Sequence, residues 1–131
     1  MLRTFQEEFH MGDFRTADGI RLHYEEYGAG SRVVLSAMAG QFYPFGLQQA
    51  LAGRGYHVYC MTLRGFFPSD FVSEKSGDGW YDRFAEDVTE LADFLRLERF
   101  FYLGASHGAG VGWHLVLRHS ERIRAFAARR R

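Results

Sequence analysis

Apolar and polar positions along the chain follow two rhythms. Ile20, Leu22 and Tyr24 alternate with Arg21, His23 and Glu25, which predicts a strand over 20–27 with one solvated face and His23 on it. A shorter stretch, 14–17, precedes it across Asp18-Gly19, a two-residue hairpin signal, so the two pair as an antiparallel ribbon. The next runs lack alternation. Residues 33–37 and 56–63 are almost continuously apolar, as in parallel strands covered on both faces. Between them Leu47, Ala50 and Leu51 mark a helix that starts at Pro44 and stops at 53–55. Strand, helix and strand within about 30 residues form a parallel crossover unit.

The period then changes. Phe84, Val88, Leu91 and Leu95 recur at helical spacing and predict a helix over 81–97 with one apolar stripe. Asp82, Glu86, Asp87, Glu90 and Asp93 mostly lie off that stripe and read as a solvated acidic face. A third parallel strand over 99–103 follows, then a helix over 107–119 whose Ala109, Gly110 and Gly112 let it approach the sheet. Residues 122–126 begin a sixth strand, and the chain then turns into Ala127-Ala128-Arg129-Arg130-Arg131. The fold class is α/β: a mostly parallel sheet with an N-terminal antiparallel hairpin. Residues 1–12 form a leader and 13–131 one partial domain. Residues 64–79, with Gly65, Pro68 and Gly77, form a long irregular segment of the kind that serves function or motion.

Composition narrows the class. Apolar residues make up 47% of 131 and charged residues 24%, so the chain is globular. A formal net charge of zero supplies no electrostatic case for nucleic acid or an anionic membrane. No apolar run approaches transmembrane length, and 1–14 is charged without an apolar signal core, so a cytoplasmic location is expected. Cys60 is a single cysteine among apolar neighbours, hence a buried thiol without an internal disulfide. The histidines show no i, i+4 metal pair, so neither metal nor cofactor is expected. Aromatics are dense at 17%, and Phe42, Tyr43, Phe45, Phe66, Phe67, Phe71 and Trp80 fall in expected loops, where they would line an apolar mouth.

The candidate chemistry lies between the last two parallel elements. Gly104-Ala105-Ser106-His107-Gly108 is a Gly-x-Ser-x-Gly turn between a strand and a helix, the pattern of a nucleophile elbow. Gly104 and Gly108 relieve crowding in such a turn. The helix N-terminus behind it favours a developing oxyanion. The same glycines, with Gly110, also suit a dinucleotide loop, in which a pyrophosphate would approach the helix N-terminus.

The order of pieces resembles the α/β-hydrolase fold superfamily of the serine-nucleophile type, over its N-terminal half. The resemblance rests on the Asp18-Gly19 hairpin, Gly55-Tyr56-His57-Val58, Leu63-Arg64-Gly65-Phe66-Phe67-Pro68-Ser69-Asp70, Ala85-Glu86-Asp87-Val88, Leu97-Glu98-Arg99-Phe100, the elbow, and His119-Ser120-Glu121-Arg122-Ile123. It implies Ser106 as nucleophile, the His107 backbone N–H as one oxyanion donor, and Met38 or Ala39 as the second. Ser at 106 argues against epoxide hydrolases and haloalkane dehalogenases, which use a carboxylate nucleophile. A dinucleotide loop would lie near the chain start with an acid after the next strand, and neither holds here.

The resemblance places an acid and then a histidine after the serine. Only Glu121 follows as an acid, while His114 and His119 lie along the helix that starts beside Ser106. The expectation is therefore an incomplete hydrolase fold, truncated near the sixth strand. It would act on an ester, amide or similar acyl substrate, small and apolar, once a complementing chain supplies the rest. Self-association through the open sheet edge is a further expectation. The alternative is a non-catalytic remnant or binding module.

Overall fold

The computed structural model describes residues 9–39, 45–72 and 79–129. Among the described residues six strands and three α-helices follow one another: β1 (Phe9–Arg15), β2 (Arg21–Tyr27), β3 (Arg32–Met38), α1 (Phe45–Ala52), β4 (Tyr56–Thr62), α2 (Trp80–Phe94), β5 (Phe100–Ala105), α3 (His107–His119) and β6 (Ile123–Arg129). They form one sheet in the order β1-β2-β4-β3-β5-β6. β1 pairs antiparallel with β2, and β2 with β4, while β4, β3, β5 and β6 run parallel.

The continuous apolar runs become strands with both faces covered. In β3, Leu35 and Ala37 join the core formed with Phe84, Val88 and Leu91 of α2 and Val111 and Leu115 of α3. Val34 and Met38 face the other way, into a smaller core with Val58, Cys60 and Leu51 of α1. Such strands cannot alternate polar with apolar, because no face meets water. Ser36, buried among them, donates from its hydroxyl to the Leu103 carbonyl at 2.7 Å.

Several expectations change. β1 begins at Phe9, inside the stretch expected as leader. The hairpin is not closed by two residues: Arg15 pairs with Arg21, leaving a five-residue loop, 16–20. Within it the Gly19 amide donates to the Thr16 carbonyl at 2.9 Å, and Gly19 has φ +86°. A turn of this width lets the Asp18 carboxylate reach across to Arg64. His23 is largely buried rather than exposed, its Nδ1 3.5 Å from an Asp13 carboxylate oxygen across the ribbon. β6 runs through Ala127 and Ala128 to Arg129 instead of ending at 126, because each residue continues the ladder with β5.

The first part of the expected irregular segment is tightly held. The Ser69 hydroxyl donates to the Thr62 carbonyl at 2.7 Å and accepts from the His23 amide at 2.9 Å. The Asp70 amide donates to the Arg21 carbonyl, and the Arg21 amide to an Asp70 carboxylate oxygen at 2.8 Å. Gly40, Phe42, Tyr43, Pro44, Gly77 and the side chain of Phe45 lie outside the described residues.

The acidic run of α2 is a solvated face only in part: Asp93 is exposed and Asp82, Glu86 and Glu90 are half-buried, but Asp87 is not solvated. Asp87 is fully buried, and its two carboxylate oxygens take a forked pair of bonds from Arg64, at 2.7 and 2.8 Å, with a further pair from Arg83. Arg64, 5% exposed, forks a second time onto Asp18 at 2.8 and 3.0 Å. Asp82 and Glu86 instead meet His114, Arg118 and His119 of α3, tying the two helices together. Asp93 pairs with Arg122 at 2.9 Å, and Glu90 with Arg83. A helical wheel puts these carboxylates off the apolar stripe; the partners come from elements distant in sequence.

Candidate functional site

The turn between β5 and α3 is assembled by contacts that leave no room for side chains. A Cβ on Gly104 would fall 2.3 Å from the Gly108 carbonyl oxygen. One on Gly108 would fall 2.3 Å from the Ala37 carbonyl oxygen at the end of β3. The first turn of α3 therefore lies directly on β5 and on the end of β3. The Tyr102 hydroxyl closes the arrangement by donating to the Gly108 carbonyl at 2.7 Å. Further along α3, Gly110 accommodates Tyr81 and Gly112 accommodates Phe126 and Tyr102.

Ser106 sits at the apex with φ +56° and ψ −119°. A serine at positive φ is sterically costly, and the packing on either side enforces it. Its side chain is exposed and makes no capping bond to α3, although serine at that position usually caps a helix. The Ser106 carbonyl accepts from the Ala109 and Gly110 amides, at 3.1 and 3.3 Å. The His107 and Gly108 N–H groups stand ahead of that ladder at the positive end of the helix. No acidic residue occupies the first turn of α3 to neutralise it.

Two depressions flank the turn. Ser106 itself lines one with Ala109, Gly110, Trp113, Ala128 and Arg129. The next residue, His107, lines the other, a cleft of about 460 Å³ with Phe66, Phe71, Trp80, Tyr81 and Phe84 among its walls. Part of the expected aromatic mouth is thus real, while Phe67, 80% exposed, points away from core packing. The His107 ring is held from α2. Its Nδ1 lies 2.8 Å from the Tyr81 hydroxyl. Met38 is buried in β3 and Ala39 packs against the main core, both one to two residues beyond the Ala37 carbonyl that touches Gly108.

The remaining described histidines with partners are committed elsewhere. His114 meets Asp82 at 2.7 Å, a carboxylate–imidazole pair of the right chemistry but the wrong place. Eight residues of helix put it about 12 Å along the axis from Ser106. His119 meets Glu86 at 2.8 Å, and His57 meets Glu26 across the sheet. Among the described residues no group of three or more His, Cys, Asp or Glu side chains could hold a metal ion. The buried Cys60 thiol is pushed up to about 12 by burial, which keeps it protonated and unreactive.

Electrostatics distinguish the loop clamp from the turn. Hydrogen bonds from Arg64 hold the Asp18 carboxyl well below the usual carboxylate range. Burial pushes Asp87 up, and the two guanidiniums beside it pull back only part of that. The Arg64 guanidinium is held above its ordinary value, its burial outweighed by the bonds to Asp18 and Asp87. These charges anchor the loop that walls the cleft; none of them is offered to a ligand. The clamp was missed in the sequence, where Arg64 and Asp87 lie 23 residues apart and only their side-chain directions connect them.

Comparison with known proteins agrees with this architecture. The family model described as alpha/beta hydrolase fold matches residues 30–129. Bifunctional epoxide hydrolase 2 from Sus scrofa is 27% identical over 112 residues, covering 84% of this chain and 20% of that protein. The Rattus norvegicus protein of the same name is 26% identical over the same length, with the same coverage of both chains. The crystal structure of an epoxide hydrolase from Vigna radiata superposes with a TM-score of 0.77 at 28% identity, over 93% of this chain and 40% of that one. A hydrolase from Pseudomonas aeruginosa superposes with a TM-score of 0.73 at 28% identity, over 88% and 44%. The chain thus spans about a fifth of the curated relatives' length, at 20%, and two-fifths of the Vigna radiata structure's, at 40%. The glycine turn after the fifth strand therefore belongs to a hydrolase architecture rather than to a dinucleotide-binding one. With the model matched over 30–129, the chain belongs to the α/β-hydrolase fold family.

Proposed function

We propose that this chain carries the nucleophile-bearing part of a serine hydrolase acting on an ester, amide or similar acyl substrate. The observation that carries the reading is the backbone of Ser106: a non-glycine residue held at φ +56° on a strand-to-helix turn, its hydroxyl exposed and uncommitted to capping. This backbone supports reading the turn as a nucleophile elbow. Ser106 Oγ attacks the acyl carbon and its proton leaves to a base. The carbonyl oxygen becomes an oxyanion, to which the His107 N–H donates, with Met38 or Ala39 supplying the second donor. The leaving alcohol or amine departs protonated, and water releases the acyl group from Ser106.

The base and its orienting acid come from polypeptide outside these 131 residues, in the same protein or a complementing chain. The commitment of His114 to Asp82 and His119 to Glu86, along a helix leading away from Ser106, supports this. Epoxide hydrolysis, the activity in the relatives' names, is disfavoured for this chain because position 106 holds an alcohol rather than a carboxylate. A nucleophilic carboxylate gives an ester that water then cleaves, whereas serine would give an ether that resists hydrolysis.

The test is labelling of the protein by a fluorophosphonate probe. Stoichiometric labelling that disappears in Ser106→Ala supports the assignment. Absence of labelling in a complete protein overturns it in favour of a non-catalytic binding module, and labelling that persists in Ser106→Ala overturns Ser106 as the nucleophile.

A further inference from the structure

Among the described residues, the cleft beside His107 is lined mainly by apolar side chains, with Arg64, Tyr81 and His107 as the polar ones. Its walls are Phe66 and Phe71 from the loop after β4, and Trp80 and Phe84 from α2. Arg64 also borders it, yet the Arg64 guanidinium is turned onto Asp18 and Asp87, with bonds from Nε and both terminal nitrogens. Tyr81 lies between two imidazoles, nearly parallel to both: its ring centroid is 6.4 Å from that of His107 and 5.5 Å from that of His114. The Tyr81 hydroxyl reaches His107 Nδ1 at 2.8 Å. His114 is in turn anchored by Asp82. The Tyr81 hydroxyl contact orients the His107 ring, and Tyr81 itself stacks on His114.

We infer that this cleft binds an aromatic or branched apolar group bearing an oxygen acceptor, with His107 Nε2–H donating to that oxygen. The 2.8 Å contact between the Tyr81 hydroxyl and Nδ1 admits either donor direction, and the inference takes the one in which the hydroxyl donates and the ring proton sits on Nε2. A single donor within aromatic walls suits a ligand that is mostly apolar and polar at one point, since an unpaired polar atom on a ligand would be costly there. His107 is the residue after Ser106, which lines the neighbouring depression on the other side of the turn. This assignment of the cleft as a substrate pocket rests on the Ser106 reading. The scissile carbonyl lies at Ser106, and the acceptor read by His107 is a second oxygen elsewhere on the substrate. Tyr81 is a positioning residue, acting through the His107 tautomer.

The experiment uses Ser106→Ala protein, so that no covalent chemistry intervenes, and a matched probe pair. Binding of 4-fluorophenyl methyl ketone and of 1-ethyl-4-fluorobenzene is followed by fluorine NMR. The ketone is expected to bind about fivefold more tightly, the size of one net hydrogen bond. In His107→Phe the preference should fall to about onefold, with the hydrocarbon still bound. Phe66→Ala should weaken both probes. Equal affinities in the parent, a preference that survives His107→Phe, or no saturable binding overturns the inference. Tyr81→Phe should move the His107 ring-nitrogen shifts from the Nε2–H form toward a tautomer mixture and reduce the preference; unchanged shifts overturn the role of Tyr81. Failure of fluorophosphonate labelling with the ketone preference intact removes only the acyl-transfer reading. Labelling without the preference removes only the pocket.

Discussion

Gly104 and Gly108 stand against each other so closely that a Cβ on the first would lie 2.3 Å from the carbonyl oxygen of the second. The strand carrying one and the helix carrying the other meet backbone to backbone, and Ser106 is raised between them. The positive φ of Ser106 is thus a consequence of tertiary packing as much as of local sequence.

Gly108→Ala should cost about 1–3 kcal/mol, the usual range for overpacking, because the new methyl would meet the rigid Ala37 carbonyl at 2.3 Å. Urea denaturation measures the loss. Probe reactivity at Ser106 should fall with it, because the turn must shift to admit the methyl. An alanine here with full stability and full labelling would refute the close approach.

Asp87→Ala should destabilise by less than the roughly 3–5 kcal/mol of a buried charge stripped of its partner, because Arg64 keeps Asp18 and Arg83 keeps Glu90. Two guanidiniums converge on Asp87, and Arg64 is itself only 5% exposed. Arg64→Lys keeps the charge but loses both forked contacts, so it should fall between the parent and Asp87→Ala. Thermal melts of the two variants give the order directly.

The clamp also predicts a pH dependence. The folded-state pKa of Asp18 lies below its unfolded value, chiefly through the Arg64 hydrogen bonds. Its stabilising contribution is therefore full above about pH 4, the unfolded carboxylate value, and is lost as pH falls through the folded value. Asp18→Asn should lower the melting temperature at pH 6 and matter progressively less toward pH 3. A melting difference that grows on acidification would contradict the assignment.

Arg96 ends α2 in a left-handed conformation, φ +60°, where the Leu97 amide reaches the Ala92 carbonyl at 2.8 Å and the Arg96 amide the Asp93 carbonyl at 3.0 Å. Glycine is the residue that this helix ending favours. Arg96→Gly should stabilise the protein by roughly 1 kcal/mol through relief of backbone strain. A calorimetric midpoint that falls instead would show that the arginine side chain contributes more than the strain costs.

How much of this is legible in the sequence differs from element to element. The expected helix over 107–119 coincides with α3, and the expected strand over 33–37 lies within β3, because each has a strong period or an unbroken apolar run. The Gly-x-Ser-x-Gly spacing located the turn, since only small residues fit where a strand doubles back into a helix. The fold family was readable from the order of such segments. These are local properties, carried by residues close together along the chain.

What the tertiary structure alone decided depends on partners far apart in sequence. Asp87 looks like one member of an acidic helix face until the loop from β4 delivers Arg64 to it. His107 is legible only through its backbone N–H until α2 delivers Tyr81 to its Nδ1. The width of the 16–20 turn was likewise hidden, because the Asp18–Arg64 pair that uses it spans 46 residues. Periodicity reports which way a side chain leaves the backbone; only packing decides what waits there, and at this site that distinction separates a solvated charge from a buried clamp.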